Sequence, residues 1–334
     1  MELRPMDFFQ LMQLASGHAE ARIVQTAVEL RVFEAFARES RTAKALATEL
    51  SLEPGACELL LNALAALKLL NKTDTMFSLA PAARQFLLES SPQYLGGMIR
   101  FESSLWRCWE ALPQAIRSGK PARPADMYQA DPRETEVFIG AMDSLVKARG
   151  DVDALANALD WQSVGEMLDV GAGPATYPIG LCRRFPGLRA TIFDLPATLK
   201  ITERRVRDAD LSARVRLIAG DYRADPIPGT YDLIFLSNII HGENMAVNET
   251  LMRKLAGSLK PAGRLIIKDH ILDESHAEPP VAAIFSMLML LTTAGGRCYS
   301  LGEIRGWMER AGLSRVAEIK LPAPLTSSLV VAAR

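Results

Sequence analysis

The pattern of apolar and polar residues changes near Val164, and this change divides the chain into two kinds of secondary structure. Before it, apolar residues recur three and four positions apart, as in residues 12–38, which predicts helices. After it, short apolar runs alternate with helical segments, which predicts a parallel, doubly wound sheet. The predicted strands are 166–170, 190–194, 215–219, 231–240 and 264–272. The pattern therefore indicates an α/β fold.

The end of the chain has a different order of elements. Two helical segments, 280–293 and 301–311, precede two short strand-like runs, 314–321 and 328–333. Two consecutive strands without a helix between them favour an antiparallel hairpin, which we expect at one edge of the sheet.

The first hundred residues have the outline of a winged helix, with helices at 43–50 and 56–70, strand-like flanks around a polar turn at 71–74, and a further helix at 82–88. Winged helices often bind DNA, and a helix that contacts phosphates is basic. Residues 54–70 contain Lys68 and no arginine, and Glu53 and Glu58 flank the start of the helix. We therefore expect no nucleic-acid partner, and we expect the apolar helices to pack on a second chain instead.

A helical middle region separates the two patterns. It holds Trp106, Trp109 and Phe138 and is punctuated by glycine and proline. We predict three regions: an N-terminal winged-helix domain at 1–105 that packs on a second chain, a helical linker region at 106–160, and an α/β domain at 161–334.

Composition limits the partners and the location. The net charge of the 334 residues is −1, so no overall field selects nucleic acid or an anionic membrane. The four cysteines lie far apart with no C-x-x-C pair, which predicts reduced thiols and no metal site. The most apolar stretch, 284–291, is far shorter than the roughly 20 residues of a membrane span, and Glu2 argues against a signal peptide. We expect a cytoplasmic protein without a membrane partner.

A glycine-containing turn follows the first predicted strand. The sequence from Asp169 onward is Asp-Val-Gly-Ala-Gly, and glycines at 171 and 173 let the backbone turn tightly beside a ligand. A dinucleotide site has a third glycine, where this chain has Thr176. A nucleoside with an amino-acid tail therefore fits better, with Asp169 and the loop amides as contacts for the tail.

Acidic residues end the next two predicted strands. Asp194 lies about 20 residues after Gly171, where a ribose-binding carboxylate is expected. Asp221 could accept from an adenine amino group and Tyr222 could pack against the base. The alternatives are a helix cap at Asp194, before Leu195-Pro196, and an ordinary polar loop at 221–222.

Five motifs in sequential order carry a family resemblance: LDVGAG at 168–173, FDLP at 193–196, GD at 220–221, LSNIIH at 236–241 and LKPAGRL at 259–265. With the winged-helix region, they make nearly the whole chain resemble the class I, S-adenosylmethionine-dependent small-molecule O-methyltransferases typified by caffeate and acetylserotonin methyltransferases. The resemblance implies a Rossmann-like sheet, S-adenosylmethionine as cofactor, a small-molecule hydroxyl acceptor and a homodimer interlocked through the N-terminal helices.

The resemblance also implies which residues contact the cofactor. They are Gly171, Asp194, Asp221, Tyr222 and Ser237, to which we add Asp169, Gly173 and Leu195. Tyr222 and Ser237 replace the family's frequent Met or Phe and Lys, and Ala175 stands where many members have glycine.

His241 matches the family's catalytic position, directly after the fourth predicted strand. A neutral imidazole can take a proton from a phenol as the methyl group arrives. Asp269, on the neighbouring strand, resembles a family carboxylate that orients this base. The family often continues His-Asp-Trp where this chain has His241-Gly242-Glu243, and a second family carboxylate has no counterpart around residues 326–328.

These features predict O-methylation of a small, aromatic hydroxyl compound. The apolar segment 281–291, with Phe285, Met287 and Met289, could line a pocket for a flat acceptor. Two alternatives remain open: methyl transfer to carbon or nitrogen on the same fold, and a winged-helix regulator that keeps a cofactor pocket without turnover.

Overall fold

The computed structural model describes residues 6–334 and divides into two compact units, one ending at Leu105 and the other spanning Trp106–Arg334. None of the helices within the described residues combines the length and the apolar character of a membrane span.

The first unit is helical with a small sheet. Its elements are α1 (Phe8–Glu29), α2 (Val32–Ala35), β1 (Arg41–Thr42), α3 (Ala43–Leu50), α4 (Pro54–Ala66), β2 (Leu70–Thr73), β3 (Met76–Leu79), α5 (Pro81–Phe86) and α6 (Gly96–Ser104). The strands form an antiparallel sheet in the order β1-β3-β2, which completes the predicted winged helix. Its core includes Phe33, Phe36, Leu46, Leu61 and Phe77, all nearly inaccessible to solvent.

Two helix ends in this unit have local causes. The Thr42 hydroxyl accepts a hydrogen bond from the Ala45 amide at 3.2 Å, so it caps α3 as an N-cap threonine does. The helical pattern over 12–38 is divided into α1 and α2, because Arg31 takes a left-handed conformation at φ 57°.

The second unit contains the large sheet. Its helices are α7 (Trp106–Glu110), α8 (Leu112–Ser118), α9 (Pro132–Arg149), α10 (Asp151–Ala158), α11 (Thr176–Arg184), α12 (Pro196–Asp208), α13 (Met245–Gly257), α14 (Pro280–Thr292) and α15 (Leu301–Arg310). Its strands are β4 (Glu166–Val170), β5 (Arg189–Asp194), β6 (Val215–Ala219), β7 (Tyr231–Ser237), β8 (Leu259–Asp269), β9 (Ile271–Leu272), β10 (Tyr299–Ser300), β11 (Ser314–Lys320) and β12 (Ser328–Ala333).

Seven of these strands form one sheet in the order β11-β12-β8-β7-β4-β5-β6. The five from β8 to β6 are parallel, and β12 pairs antiparallel with both β8 and β11. Apolar clusters cover both faces, one around Leu236 and Trp307 and the other around Phe235 and Leu181. The predicted α/β sheet with an antiparallel hairpin at its edge is confirmed.

Two predicted strands differ from the observed ones at their ends. The run predicted over 231–240 stops at Ser237, because Asn238 adopts a left-handed φ of 57° and a 3₁₀ turn follows at Ile240–Gly242. The run predicted over 264–272 begins earlier, at Leu259, and ends at Asp269, with β9 pairing separately to β10. The chain therefore turns at the carboxyl edge of the sheet after Ser237 and again after Asp269.

Candidate active site

A cavity opens at the carboxyl ends of β4, β5, β6 and β7, where ligands bind in open α/β sheets. We call it the strand-end cavity. Seven predicted cofactor residues line it: Asp169, Gly171, Gly173, Asp194, Leu195, Tyr222 and Ser237. The eighth, Asp221, and the predicted catalytic residues His241 and Asp269 are not among its lining residues.

The floor of this cavity requires glycine at two turns. Gly171 has a φ of +68°, and a Cβ there would lie 2.4 Å from the Ile239 side chain. At Gly220, a Cβ would come within 2.3 Å of the Phe193 ring. A larger residue would therefore displace the Ile239 or Phe193 side chain, which explains glycine at both turns.

Ala175 closes the same loop in a strained conformation. Its φ is +59°, in the left-handed region that glycine occupies without penalty, and its side chain is buried. Alanine at this position therefore holds the turn with backbone strain that the glycine of many family members would avoid.

Asp169 lies on the cavity wall as a buried carboxylate. Neither of its oxygens has a hydrogen-bond partner within residues 6–334. Burial, and to a lesser extent the nearby charge of Asp194, raises the pKa of Asp169 well above its ordinary value. An unpaired buried carboxylate is costly, and a cationic ligand group would relieve that cost.

Asp194 is held against the glycine loop. Its Oδ2 accepts from the Gly173 amide at 2.8 Å and its Oδ1 accepts from the Leu195 amide at 2.7 Å. Burial raises its pKa to about 6 despite these two hydrogen bonds. One loop amide expected to contact a ligand is thus already engaged by a side chain.

Of the two residues predicted to contact a nucleobase, Tyr222 lines the cavity and Asp221 does not. The Asp221 carboxylate accepts from Arg223 Nε at 3.0 Å, and it is Arg223 that lines the cavity beside Tyr222. The Tyr222 hydroxyl donates to Glu243 Oε1 at 2.7 Å, which fixes its ring. Glu243 is one of the residues that replaces the family's usual sequence after His241.

His241 and Asp269 form a hydrogen-bonded pair just beyond the cavity wall. His241 Nδ1 lies 2.7 Å from Asp269 Oδ1, which also accepts from the His270 amide at 2.7 Å. Burial alone would raise the pKa of Asp269, but the charge and hydrogen bond of His241 hold it below its ordinary value. The cavity-lining residue Ile239 lies two positions before His241 along the chain.

An aromatic ring from α14 borders this pair. Phe285 meets the His241 ring edge-on, with centroids 4.8 Å apart, and the His270 ring at 5.0 Å. Met287 and Met289 of the same helix do not line the strand-end cavity.

Several residues of the site were not predicted from the sequence. Helix α9 supplies one wall of the cavity, ending at Arg149, and Tyr177 of α11 lies beside it. Behind them, Lys268 is completely buried in β8 and lies 3.0 Å from Asp151. A lysine inside the apolar run Leu265-Ile-Ile-Lys-Asp was the available signal, because fully buried lysines are rare without a partner. Within residues 6–334, no cluster of three His, Cys, Asp or Glu side chains could hold a metal ion.

Known proteins share this architecture over nearly the whole chain. A 3-hydroxy-5-methyl-1-naphthoate 3-O-methyltransferase from Streptomyces sahachiroi is 29% identical over 327 residues, covering 96% of this chain and 93% of the relative. The N,N-dimethyltransferase OxyT from Streptomyces rimosus is 24% identical over 315 residues, covering 90% and 89%. The crystal structure of human N-acetylserotonin methyltransferase in complex with SAM superposes with a TM-score of 0.90 at 21% identity, covering 100% and 99%.

Two family models match the chain. An O-methyltransferase domain matches residues 109–314, more than half of the chain, and an O-methyltransferase dimerisation domain matches residues 12–89. The family, the methyltransferase class and S-adenosylmethionine as the methyl donor, all predicted from the motifs, are thereby confirmed. The chain therefore belongs to the O-methyltransferase family.

Proposed function

We propose that this protein transfers a methyl group from S-adenosylmethionine to the hydroxyl of a small aromatic compound, with His241 as general base. The observation that carries the proposal is the 2.7 Å contact between His241 and Asp269, next to a cavity lined by predicted cofactor residues.

The residues of the cavity fit the cofactor. Asp169 has an unpaired buried carboxylate suited to the tail ammonium, and Asp194 ends β5 where a ribose-binding carboxylate is expected. Tyr222 supplies a ring for the nucleobase, and Gly171 and Gly220 line the same cavity. When bound, S-adenosylmethionine supplies an electrophilic methyl group on a sulfonium that leaves as a neutral thioether.

His241 is oriented for proton abstraction. The ionised Asp269 can only accept, so His241 Nδ1 carries the proton that faces it, and the lone pair of Nε2 is left for the acceptor hydroxyl. A phenol has a pKa of about 10 and is mostly protonated at neutral pH, so removal of its proton during transfer lowers the barrier. Asp269 then stabilises the imidazolium that forms.

An aromatic acceptor is supported by the surroundings of this base. Phe285 presents its ring edge-on to His241, and aromatic rings favour edge-to-face or offset packing with each other. The naphthoate methyltransferase from Streptomyces sahachiroi, with a bicyclic aromatic acceptor in its name, resembles the chain over almost its full length.

The test is a turnover assay with labelled S-adenosylmethionine and a panel of phenols, comparing wild type with His241→Ala. We expect kcat to fall about 10²–10⁴-fold while the Kd for S-adenosylhomocysteine stays the same. His276→Ala, at an exposed histidine, is the matched control and should keep full activity. Full turnover by His241→Ala would rule out the general-base role.

Transfer to nitrogen is the second candidate. It is favoured by the replacement of the residues after His241 and by the likeness to the N,N-dimethyltransferase OxyT. The same labelled assay decides between transfer to oxygen and transfer to nitrogen when amine acceptors are added and the methylated atom is identified by NMR. Labelled product on an amine alone would replace the O-methyl assignment, whereas binding of cofactor without any turnover would favour a regulator.

We further propose a homodimer through the N-terminal helices. Helix α1 exposes large apolar side chains, among them Phe8, Phe9 and Leu14 at 70%, 80% and 69% of full exposure. A run of this kind marks an interaction surface, and a dimerisation domain matches residues 12–89. Sedimentation should report a dimer for wild type and a monomer for Phe9→Glu/Leu14→Glu, and a wild-type monomer at micromolar concentration would contradict the proposal.

The three-part division at 1–105, 106–160 and 161–334 and the cytoplasmic location stay predictions. The three-part division gains support from α9, which lies in the middle region and contributes a wall of the strand-end cavity.

A further inference from the structure

A compact charge cluster lies behind the strand-end cavity. Helix α9 ends at Arg149, Gly150 turns the chain at φ +71°, and α10 begins at Asp151. The Asp151 carboxylate accepts from Arg149 Nε at 3.0 Å and Nη2 at 2.8 Å, and from the Tyr177 hydroxyl at 2.8 Å. Its Oδ2 also lies 3.0 Å from Lys268 Nζ. We call these four residues the Arg149 cluster.

The cluster has two cations and one carboxylate. The side chains of Asp151 and Lys268 are both completely buried, so solvent does not neutralise the difference. Burial lowers the pKa of Lys268, and the charges of Asp151 and, to a lesser extent, Asp269 oppose that shift. The Asp269 carboxylate is hydrogen-bonded to His241, so among the groups that contact Asp151 the cations outnumber the carboxylate by one.

This positive charge reaches the cavity through Arg149. Arg149 and Tyr177 line the cavity, whereas Lys268 lies behind them and pairs with the same carboxylate. Because Lys268 shares Asp151 with Arg149, the guanidinium is not fully neutralised and faces the cavity as a cation.

The two glycine amides of the loop are already engaged within the chain. The Gly171 amide donates to the Phe193 carbonyl at 2.9 Å, and the Gly173 amide donates to Asp194 at 2.8 Å. Pro174 has no amide hydrogen. A carboxylate entering the cavity therefore finds its cationic partner on α9 rather than in the loop.

The same cavity thus presents an unpaired carboxylate, Asp169, and an incompletely neutralised guanidinium, Arg149. Opposite charges in one cavity fit a zwitterionic α-amino acid group. We propose that the Arg149 cluster binds the carboxylate of the cofactor's amino-acid tail, with Lys268 as a positioning residue that keeps Arg149 available. This inference rests on the proposed cofactor site.

Calorimetry with two ligands tests it. S-adenosylhomocysteine carries the amino-acid tail, whereas 5′-methylthioadenosine has the same nucleoside thioether without it. We expect Arg149→Met to weaken S-adenosylhomocysteine binding about 10–100-fold and to leave the Kd for 5′-methylthioadenosine within about twofold. Arg149→Lys, which keeps the charge, should recover part of the loss.

Lys268→Met extends the test to the buried cation. We expect about a 3–10-fold loss for S-adenosylhomocysteine with 5′-methylthioadenosine unchanged, since only the ligand carboxylate depends on the excess charge. If this variant does not fold, Arg149→Met, at a partly exposed side chain, decides the question alone.

Equal losses for both ligands, or no loss for S-adenosylhomocysteine in Arg149→Met, would overturn the carboxylate subsite while leaving the cofactor cavity intact. Failure of the wild-type protein to bind either ligand would instead overturn the cofactor site itself, and the subsite with it.

Discussion

Asp169 and Asp269 lie at the same edge of one sheet with 1% exposure each, yet their pKa values are shifted in opposite directions. Burial raises the pKa of Asp169 well above its ordinary value, because no hydrogen bond within residues 6–334 reaches its oxygens. At Asp269 burial acts in the same direction, but His241 and the His270 amide together hold the pKa below its ordinary value.

The difference shows that partners rather than burial decide what a strand-end carboxylate can do. Asp269 has its partners within the chain, and in the proposed mechanism it orients the base before any ligand arrives. Asp169 lacks such partners, and in the proposed cofactor site its counter-charge comes from the ligand, so part of its burial cost would be recovered on binding. The predictions that follow test this division.

The largest effect is expected from Asp269→Asn. An amide in place of the ionised carboxylate can donate to His241 Nδ1, which favours the tautomer whose Nε2 carries the proton and cannot act as a base. We expect kcat to fall about 10²–10⁴-fold, measured by methyl transfer to the best acceptor from the phenol panel. The Kd for S-adenosylhomocysteine should not change, and a variant with wild-type kcat would show that Asp269 does not orient the base.

The next effect is a pH dependence of stability from Asp194. Its folded-state pKa of about 6 lies above the ordinary 3.8, so the folded protein holds a proton that the unfolded chain releases. The stability it contributes is complete below pH ~4 and is lost as pH rises through about 6. Asp194→Asn removes this loss, so the variant should gain stability over wild type by on the order of 3 kcal/mol between pH 4 and pH 7.5.

Denaturant unfolding of the ligand-free protein at several pH values measures that difference. A gap between variant and wild type that does not change with pH would show that the Gly173 and Leu195 amides already stabilise the charged form of Asp194.

The elements of the fold were largely predictable because their causes are local. The strand at 166–170 and the helix at 43–50 have the predicted bounds, since a buried apolar run defines the first and the Thr42 cap begins the second. The break at Arg31 was not predictable, because arginine shows no preference for the left-handed conformation it adopts there.

The candidate site was predictable only where residues follow consecutive strands. Asp169, Asp194 and His241 emerge at one edge because parallel strands end together. The contact between Lys268 and Asp151 joins positions more than a hundred residues apart, and it depends on how α10 packs on the sheet. The hydrogen bond between Asp221 and Arg223 beside the cavity is a side-chain contact that spacing does not reveal.

A smaller effect is expected from Asp169→Asn. Asparagine keeps the shape but loses the charge for the ligand ammonium, so the Kd for S-adenosylhomocysteine should rise about tenfold by calorimetry. The ligand-free variant should melt at a higher temperature at pH 7.5, because asparagine does not titrate and so removes the loss of stability that the raised pKa of Asp169 causes as pH rises. The Kd for 5′-methylthioadenosine, which has no amino group, is the control; an equal loss for this ligand would contradict the assignment.

The smallest effect is expected at Asp232, a carboxylate at the opposite, amino edge of the same sheet. Its Oδ2 accepts from the Glu166 amide at 2.8 Å and from the Gly165 amide at 3.2 Å. Its Oδ1 pairs with Lys260 at 3.0 Å. These partners lie within the chain, and none of them lines the strand-end cavity. Asp232→Ala should cost about 1 kcal/mol in denaturant unfolding, because two amides at the partly exposed start of β4 lose an acceptor. Turnover and cofactor affinity should be unchanged. A tenfold loss of cofactor affinity in this variant would mean that strand-end carboxylates act on the site through sheet stability, which would remove the distinction between Asp169 and Asp269.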